Sequence, residues 1–396
     1  MKNAGAVHEI ITDEAGFRAL QPEWDELWTR AGGWYYQAFG NCRIAWDQVA
    51  KPLGRKLHVI VRREQGRAVL IFPLVTYRRA LWTYLIPLCS ESADFTSILV
   101  EDNARTAELV EDAWQVARTR CGADFVHMPY LPDRTDLYRL AMQERHPVIR
   151  EHTPSYFANL HEESARYDWK GFCETLGRLH GNKPGKVEQR LAAAGKVRVD
   201  VIDSHDPVRI AASVDALLTW KRMWGERVGK HGHWLYSEHY RNFLVEWLST
   251  EGSEVTAHAI VVTVDDAAVA VLLMCKDARG VTGIIASFDP AFAKWSPGIL
   301  AVETMAKWAF ERHLDLDCGA GSEAFKAYWS RGNASYCCTA QSVNSWWGFA
   351  GLCARRAPRS VVRRVRALSG HVETPEVDRS VRPAHSPADG ELAEQR

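Results

Sequence analysis

The sequence has no Cys-x-x-Cys pair, and its nine cysteines are odd in number and scattered from Cys42 to Cys353, which argues against a disulfide framework and for a reducing compartment. It has no net charge. Lys plus Arg and Asp plus Glu both number 49, so the overall basic field of a dedicated nucleic-acid binder is missing and a small-molecule partner is expected. It has no long apolar run: the longest, such as Ala267 to Cys275, have strand length and fall far short of the roughly 20 residues that a membrane-spanning helix needs. Met1 to Phe17 carries Glu9, Asp13 and Glu14 without an apolar stretch, so neither a secretory signal nor a span is expected there. The expected location is the cytoplasm. What is present is globular. With 396 residues and 46% hydrophobic content, the chain exceeds what one core usually organises, and two domains are expected.

Phe17, Leu20, Trp24, Leu27 and Trp28 recur at helical spacing and predict a helix over Glu14 to Arg30, with Trp24 in the core. Leu57 to Arg62 and Ala68 to Tyr77 flank Glu64-Gln65-Gly66 as a hairpin. A helix over Ala104 to Arg120 and a strand over Asp124 to Met128 follow. The second half repeats this order. Strands over Glu254 to Val264 and Ala267 to Lys276 surround an Asp265-Asp266 turn, and a third covers Val281 to Phe288. A helix over Pro297 to Arg312 then leads to a strand over Leu314 to Cys318. The symmetry lies in element order rather than in residues, and predicts a duplicated α/β unit with right-handed crossovers. Between the halves, Trp169 to Gly195 reads as a basic helix or helix pair with Lys183, Lys186 and Arg190 close together. Helices over Pro207 to Trp224 and Ser237 to Ser249 complete the insertion. Six arginines crowd Arg355 to Arg366, and the stretch after Gly370 is Pro- and charge-rich, the composition of a disordered tail.

The segment richest in chemistry is Ser287 to Leu300. Ser296 has the composition of an N-cap, Pro297 belongs at the first helical position, and Gly298 removes a side chain where a ligand could approach. Such a helix start is an anion site suited to a pyrophosphate, which makes Trp295, Ser296, Pro297, Gly298 and Ile299 the candidate cofactor-binding residues. The helix returns to Leu314-Asp-Leu-Asp-Cys-Gly-Ala-Gly321, a strand ending in small residues, and then to a helix over Ser322 to Trp329. Ligands of α/β proteins gather at such strand ends.

The arrangement Asp317, Gly319, Gly321, Glu323, Lys326, Trp329 after a Ser-Pro-Gly helix resembles the GNAT acyltransferases of the CelD type, associated with cellulose and exopolysaccharide genes. Trp220-Lys-Arg-Met-Trp224, Ala268-Val-Ala270 and Phe72-Pro-Leu74 resemble that family as well, and the likeness covers most of Val7 to Ser345. Cys318 stands where an aromatic is commoner, and Ala320 where a basic residue is common. The resemblance implies an α/β (α+β) fold of tandem GNAT-like domains, mixed sheets flanked by helices. It places an N-terminal half without cofactor over 1–160 and an acyltransferase domain with a helical insertion over 161–350, to which composition adds a basic amphipathic helix over 351–370 and a disordered tail over 371–396. It also implies acetyl-CoA or a longer acyl-CoA as co-substrate, with the pantetheine between two splayed strands. The N-terminal half offers Cys89-Ser-Glu-Ser-Ala-Asp94 in place of Ser-Pro-Gly.

Amide formation needs a neutral amine, a donor for the oxyanion and a proton for the departing thiolate. Asp317 is the first candidate for binding or deprotonating the ammonium and Glu323 the second. Lys326 is placed to hold an anionic acceptor group or support the carboxylates, and Tyr328 to protonate the thiolate. No metal is expected: His231-Gly-His233 with His239 lacks a carboxylate or thiol frame and reads as a polar loop. Cys173 and Cys275 read as buried thiols. The expected activity is acyl-CoA-dependent N-acylation of a sugar, polysaccharide or other cell-envelope precursor. The alternatives are N-acylation of a lipidic amine such as a long-chain base, an aminoacyl-tRNA-dependent transferase like FemAB, and a non-catalytic scaffold in polysaccharide export. Arg355 to Arg366 would suit peripheral contact with an anionic membrane at its inner face, and nucleic acid is not the expected partner.

Overall fold

The computed structural model describes residues 8–93, 95–229, 232–251 and 254–356. Its strands are β1 (His8–Ile11), β2 (Lys56–Glu64), β3 (Arg67–Arg79), β4 (Trp82–Pro87), β5 (Leu99–Val100), β6 (Phe125–Pro132), β7 (Pro147–Ala158), β8 (Val197–Ile202), β9 (Thr256–Val264), β10 (Ala267–Asp277), β11 (Gly280–Phe288), β12 (Leu316–Ala320) and β13 (Ala334–Val343). They form one sheet in the order β1-β2-β3-β4-β6-β13-β7-β12-β11-β10-β9-β8, with β5 on β3. All neighbours are antiparallel except β4 with β6 and β11 with β12. Each half therefore carries one parallel junction inside an antiparallel sheet, as the repeated element order predicts.

Both predicted hairpins are present. Gln65-Gly66 and Asp265-Asp266 all have positive φ, the backbone that two-residue turns need to match strand twist. The helix predicted over Glu14 to Arg30 is two helices, Glu14–Ala19 and Gln21–Ala31. Pro22 has no N–H to give and sits in the first turn of the second, so the chain restarts at Leu20. The insertion holds the short helices Trp169–Thr175 and Lys186–Leu191, then Pro207–Val228 and Glu238–Ser249.

Alternation along the strands sends side chains to different cores. In β3, Ile71 and Val75 enter one cluster while Leu70, Phe72 and Leu74 enter another under helix Thr106–Arg120. In β10, Val271, Leu273 and Cys275 join the first cluster, whereas Ala270, Leu272 and Met274 pack with helix Pro297–Phe310. The first cluster is thus common to both halves. It gathers Phe17, Trp24 and Leu27 from the start of the chain with Leu217, Phe243 and Trp247 from the insertion. Trp24 is fully buried, as expected, and its indole N–H donates to Gln37 O at 2.7 Å.

The central strands cross between halves. β13, from the end of the described chain, lies between β6 and β7, and β7 pairs with β12. No helix among the described residues is long and apolar enough to cross a membrane. Arg355 and Arg356 end the last described helix, Trp346–Arg356, and the rest of the predicted basic helix and tail lies outside the described residues.

Candidate active site

β11 and β12 pair only at Val281–Leu316 and Thr282–Asp317 and then part. Although β11 is an interior strand, its next four residues, Gly283 to Ala286, remain half-exposed. Beyond Thr282 these residues have no ladder partner on the β12 side, which opens a crevice where the two strands part. At the same point the β10 register slips: Leu273 faces Ile285 but Met274 faces Gly283, which makes Ile284 an extra residue in a bulge. The bulge puts Ile284 and Ile285, neighbours in sequence, against the same core cluster, and takes Ile284 out of the ladder.

Asp317 lies at the parting point and is 7% exposed. Its Oδ1 accepts from Gly319 N–H at 2.7 Å. Burial pushes its carboxyl up from about 3.8 to about 6, partly offset by the Gly319 hydrogen bond and the Lys326 charge. Asp317 does not cap the following helix, which runs Ala324–Trp329 with Glu323 at the cap position. Lys326 is buried, donating to Ala320 O and pairing with Glu323 Oε2 at 3.1 Å. A Cβ at Gly321 would stand 2.9 Å from Lys326 Nζ and closer still to the Glu323 carboxylate, so glycine there lets the lysine fold back. Of the two roles read for Lys326, the structure brings it to the carboxylate. Burial pushes Glu323 up, but Lys326 outweighs it and holds the carboxyl below its ordinary range. Tyr328 donates to Gly177 O at 3.2 Å, and burial pushes its hydroxyl up to about 12, with Cys173 and Glu303 adding to the shift.

Two groups that the sequence reading did not assign to the site reach it. The Lys221 ammonium, on helix Pro207–Val228, donates to Ala286 O at 3.3 Å, lies 4.5 Å from the Trp224 ring centre and bears on Glu323. The Trp220 to Trp224 motif carried that signal. Tyr36 is buried with its hydroxyl 3.1 Å from Ser97 Oγ; burial pushes the phenol up, and the Asp317 charge adds to the shift. Nothing in its local sequence marked it, because the charge that bears on it lies 281 positions away.

The helix start needs a correction at Ser296. Ser296 makes no side-chain cap; its φ of 56° is left-handed, and its Oγ accepts from Arg190 Nη2 at 2.9 Å. Gly298 has Phe288 beside it: a Cβ would stand 3.1 Å from that ring. Ile299 N–H bonds to Ser296 O at 3.0 Å and its side chain is in the core, while Trp295 lies half-buried under Lys294. Pro297 is also buried. Arg190 brings a guanidinium to the helix start, with its Nε buried and without a partner among the described residues.

The N-terminal junction parts in the same way, with β4 and β6 paired only at Tyr84–Phe125 and Leu85–Val126. Here the chain's own loop fills the opening: Thr96 N–H donates to Tyr130 O at 3.2 Å, with Phe95 and Thr96 buried. Ser90 Oγ is buried without a partner among the described residues and Glu91 pairs with Arg55, while Asp94 lies outside the described residues. Among the described residues, no group of three or more His, Cys, Asp or Glu could hold a metal ion; His231 is not among them. An open hollow of about 500 Å³ by Thr256, His258 and Arg312 lies away from Asp317 and contains no acid–base pair.

Residues 185–327 match the family described as acetyltransferase (GNAT) domain. The chain matches no curated protein in sequence. Among solved structures, FemX is similar at 11% identity over 85% of this chain and 98% of its own, with a TM-score of 0.52. A tandem GNAT protein from the clavulanic acid biosynthesis pathway, solved without AcCoA, gives 12%, 86%, 99% and 0.49 in the same measures. The L-PGS of Bacillus licheniformis gives 9%, 91%, 98% and 0.47. The fold is tandem and GNAT-like, a mixed sheet flanked by helices.

Proposed function

We propose that the chain transfers an acyl group from acyl-CoA to a primary amine of a cell-envelope molecule. The observation carrying this is the open junction of β11 and β12 with Asp317 at its base, in the half that matches an acetyltransferase domain. The residues present fit the co-substrate. The free side of Gly283 to Phe288 offers backbone groups to a pantetheine amide, and the Pro297 helix start with Arg190 offers positive charge to a pyrophosphate. Bound acyl-CoA supplies the thioester. The amine nitrogen bonds to its carbonyl carbon, the C–S bond breaks, and the electron pair leaves on sulfur. The ammonium proton passes to the Asp317 carboxylate, directly or through water, and the developing oxyanion is met by the N–H at the Ile284 bulge. The leaving thiolate takes a proton from Tyr328, which exchanges its bond to Gly177 for that task and is reprotonated, through water, by the second proton that the nitrogen sheds as the amide forms.

The sugar or polysaccharide acceptor and the placement within the CelD type rest on the sequence motifs alone. A lipidic amine is favoured by a separate observation: Ile284, Ile285, Ala320, Trp34 and Trp220 are all apolar, half-buried and packed at the edge of the shared core. Cytoplasmic location, with the membrane's inner face as the place of work, is part of this proposal.

The test is to heat the purified protein with acetyl-CoA and longer acyl-CoAs, then assay those that protect it against sugar amines and long-chain amines. Protection with amide product supports the reading. Lack of protection by every acyl-CoA would remove it.

A further inference from the structure

Helix Trp346–Arg356 is assembled the reverse of a usual surface helix. Glycines make its close contacts: a Cβ on Gly348 would stand 2.3 Å from Asp124 O, and one on Gly351 2.5 Å from the Trp82 indole. The helix therefore lies tight against the starts of β4 and β6 on its smallest residues. Its largest are left outside. Trp346 is 81% exposed and Trp347 52%, and Leu81 in the adjoining turn is 58% exposed. This exposure is built in, because Trp82 Nε1 donates to Trp347 O and Trp347 Nε1 to Leu81 O, both at 3.1 Å. Trp346 stacks on Phe349 with ring centres 5.9 Å apart. The result is a held aromatic platform of Leu81, Trp82, Trp346 and Trp347, and the chain runs from it into Arg355, Arg356, Arg359, Arg363, Arg364 and Arg366.

We infer that this platform is a docking surface for an anionic lipid bilayer. Amphipathic rings settle at the headgroup level, where indoles find both an apolar and a polar side. Aromatic insertion and a polybasic segment are two weak signals that together anchor a protein peripherally. The arginines that follow the platform in sequence decide the occupant, since a second copy of a chain without net charge gives them no general counter-field.

Strand directions add a consequence. From β6 through β13 and β7 to β12 there are three antiparallel steps, so β11 and β12 end on the edge where β4 and β6 begin. Crevice mouth and platform share that edge, rotated by the twist of three steps, roughly 60–75°. Docking on the platform turns the mouth toward the leaflet, where an amine in the headgroup region can enter. This orientation rests on the lipidic-amine reading, whereas the docking does not.

The test is co-sedimentation of the full chain with vesicles of phosphatidylcholine alone and mixed with phosphatidylglycerol, at low and high salt. Wild type should bind the anionic vesicles and release partly in salt. Leu81→Ser with Trp346→Ser, both at exposed positions, should keep the wild-type Tm and weaken that binding about tenfold or more. No binding by wild type, or equal binding by the double variant, overturns the proposal. So does conversion of a dimer to a monomer without a vesicle effect, which would make the platform a self-association face. Vesicle binding retained by a protein that acylates no amine would instead sink the functional reading and leave the docking intact.

Discussion

Asp317 concentrates the conflict between stability and chemistry in one side chain. A carboxyl raised to about 6 by burial is neutral in acid and costly to ionise in the fold. Its folded value lies above its unfolded one, so its contribution to stability is fully present below about pH 4 and is lost as pH rises through about 6. Asp317→Asn retains an acceptor for Gly319 and removes the ionisation. The variant should match wild type at pH 4 and exceed it at pH 8 by about 1–3 kcal/mol, read as Tm across pH. Turnover should fall by about 10² or more with acyl-CoA affinity kept, and wild-type activity should rise with pH through about 6. Equal turnover in the variant would end the base assignment. Asp317 was legible in the sequence as a strand-end acid, but its burial was not, because that depends on β7 and on elements far away in the chain. Lys326 is a second case. Lys326→Met should lower Tm and turnover together by freeing the Gly319 to Glu323 loop, whereas Glu323→Gln, at an exposed position, should leave Tm nearly unchanged. A destabilising Glu323→Gln would show that the pair, rather than the bond to Ala320, closes the loop.

At the scale of elements, periodicity located the two hairpins, the Thr106 and Pro297 helices and the order of both halves. It failed where a pattern is shared between environments. β7 reads Pro-Val-Ile-Arg-Glu-His-Thr-Pro-Ser-Tyr-Phe-Ala, and its residues are mostly half-exposed or exposed, so no apolar alternation marks it as central. The Ser-Pro-Gly helix start was legible, but its details were not, since Phe288 and Arg190 approach it from other elements. Gly298→Glu is accordingly a poor probe of cofactor binding, because any Cβ there presses on Phe288. Arg190 is the cleaner one. If its guanidinium meets the pyrophosphate, Arg190→Ala should raise the acyl-CoA Kd about tenfold or more, with a weaker salt dependence than wild type and little change in Tm. Calorimetry at two salt concentrations measures this, and an unchanged Kd would move the pyrophosphate elsewhere.

The whole molecule is tied together by the exchange of its central strands, which no local pattern announced. β13 bonds to β6 on one side and β7 on the other, and its side chains enter three cores: Cys337 the shared one, Ala340 the one beneath helix Thr106–Arg120, and Val343 the one around Tyr84 and Phe125. Chains of this size often unfold domain by domain. Here the shared core and the exchanged strand give neither half a complete set of contacts alone, so unfolding should be one cooperative event. Urea titration followed by far-ultraviolet circular dichroism and by tryptophan fluorescence should give coincident curves. A chain ending at Asn333 would leave β6 and β7 as two open edges, and should be insoluble or lack a cooperative transition, although it keeps every residue assigned to catalysis. Two separated transitions in the full chain, or a soluble, cooperatively folded and acyl-CoA-binding truncated chain, would show that the halves are independent after all. The strand exchange would then be an accessory to the fold rather than the reason that the N-terminal half, with its own crevice filled, is kept.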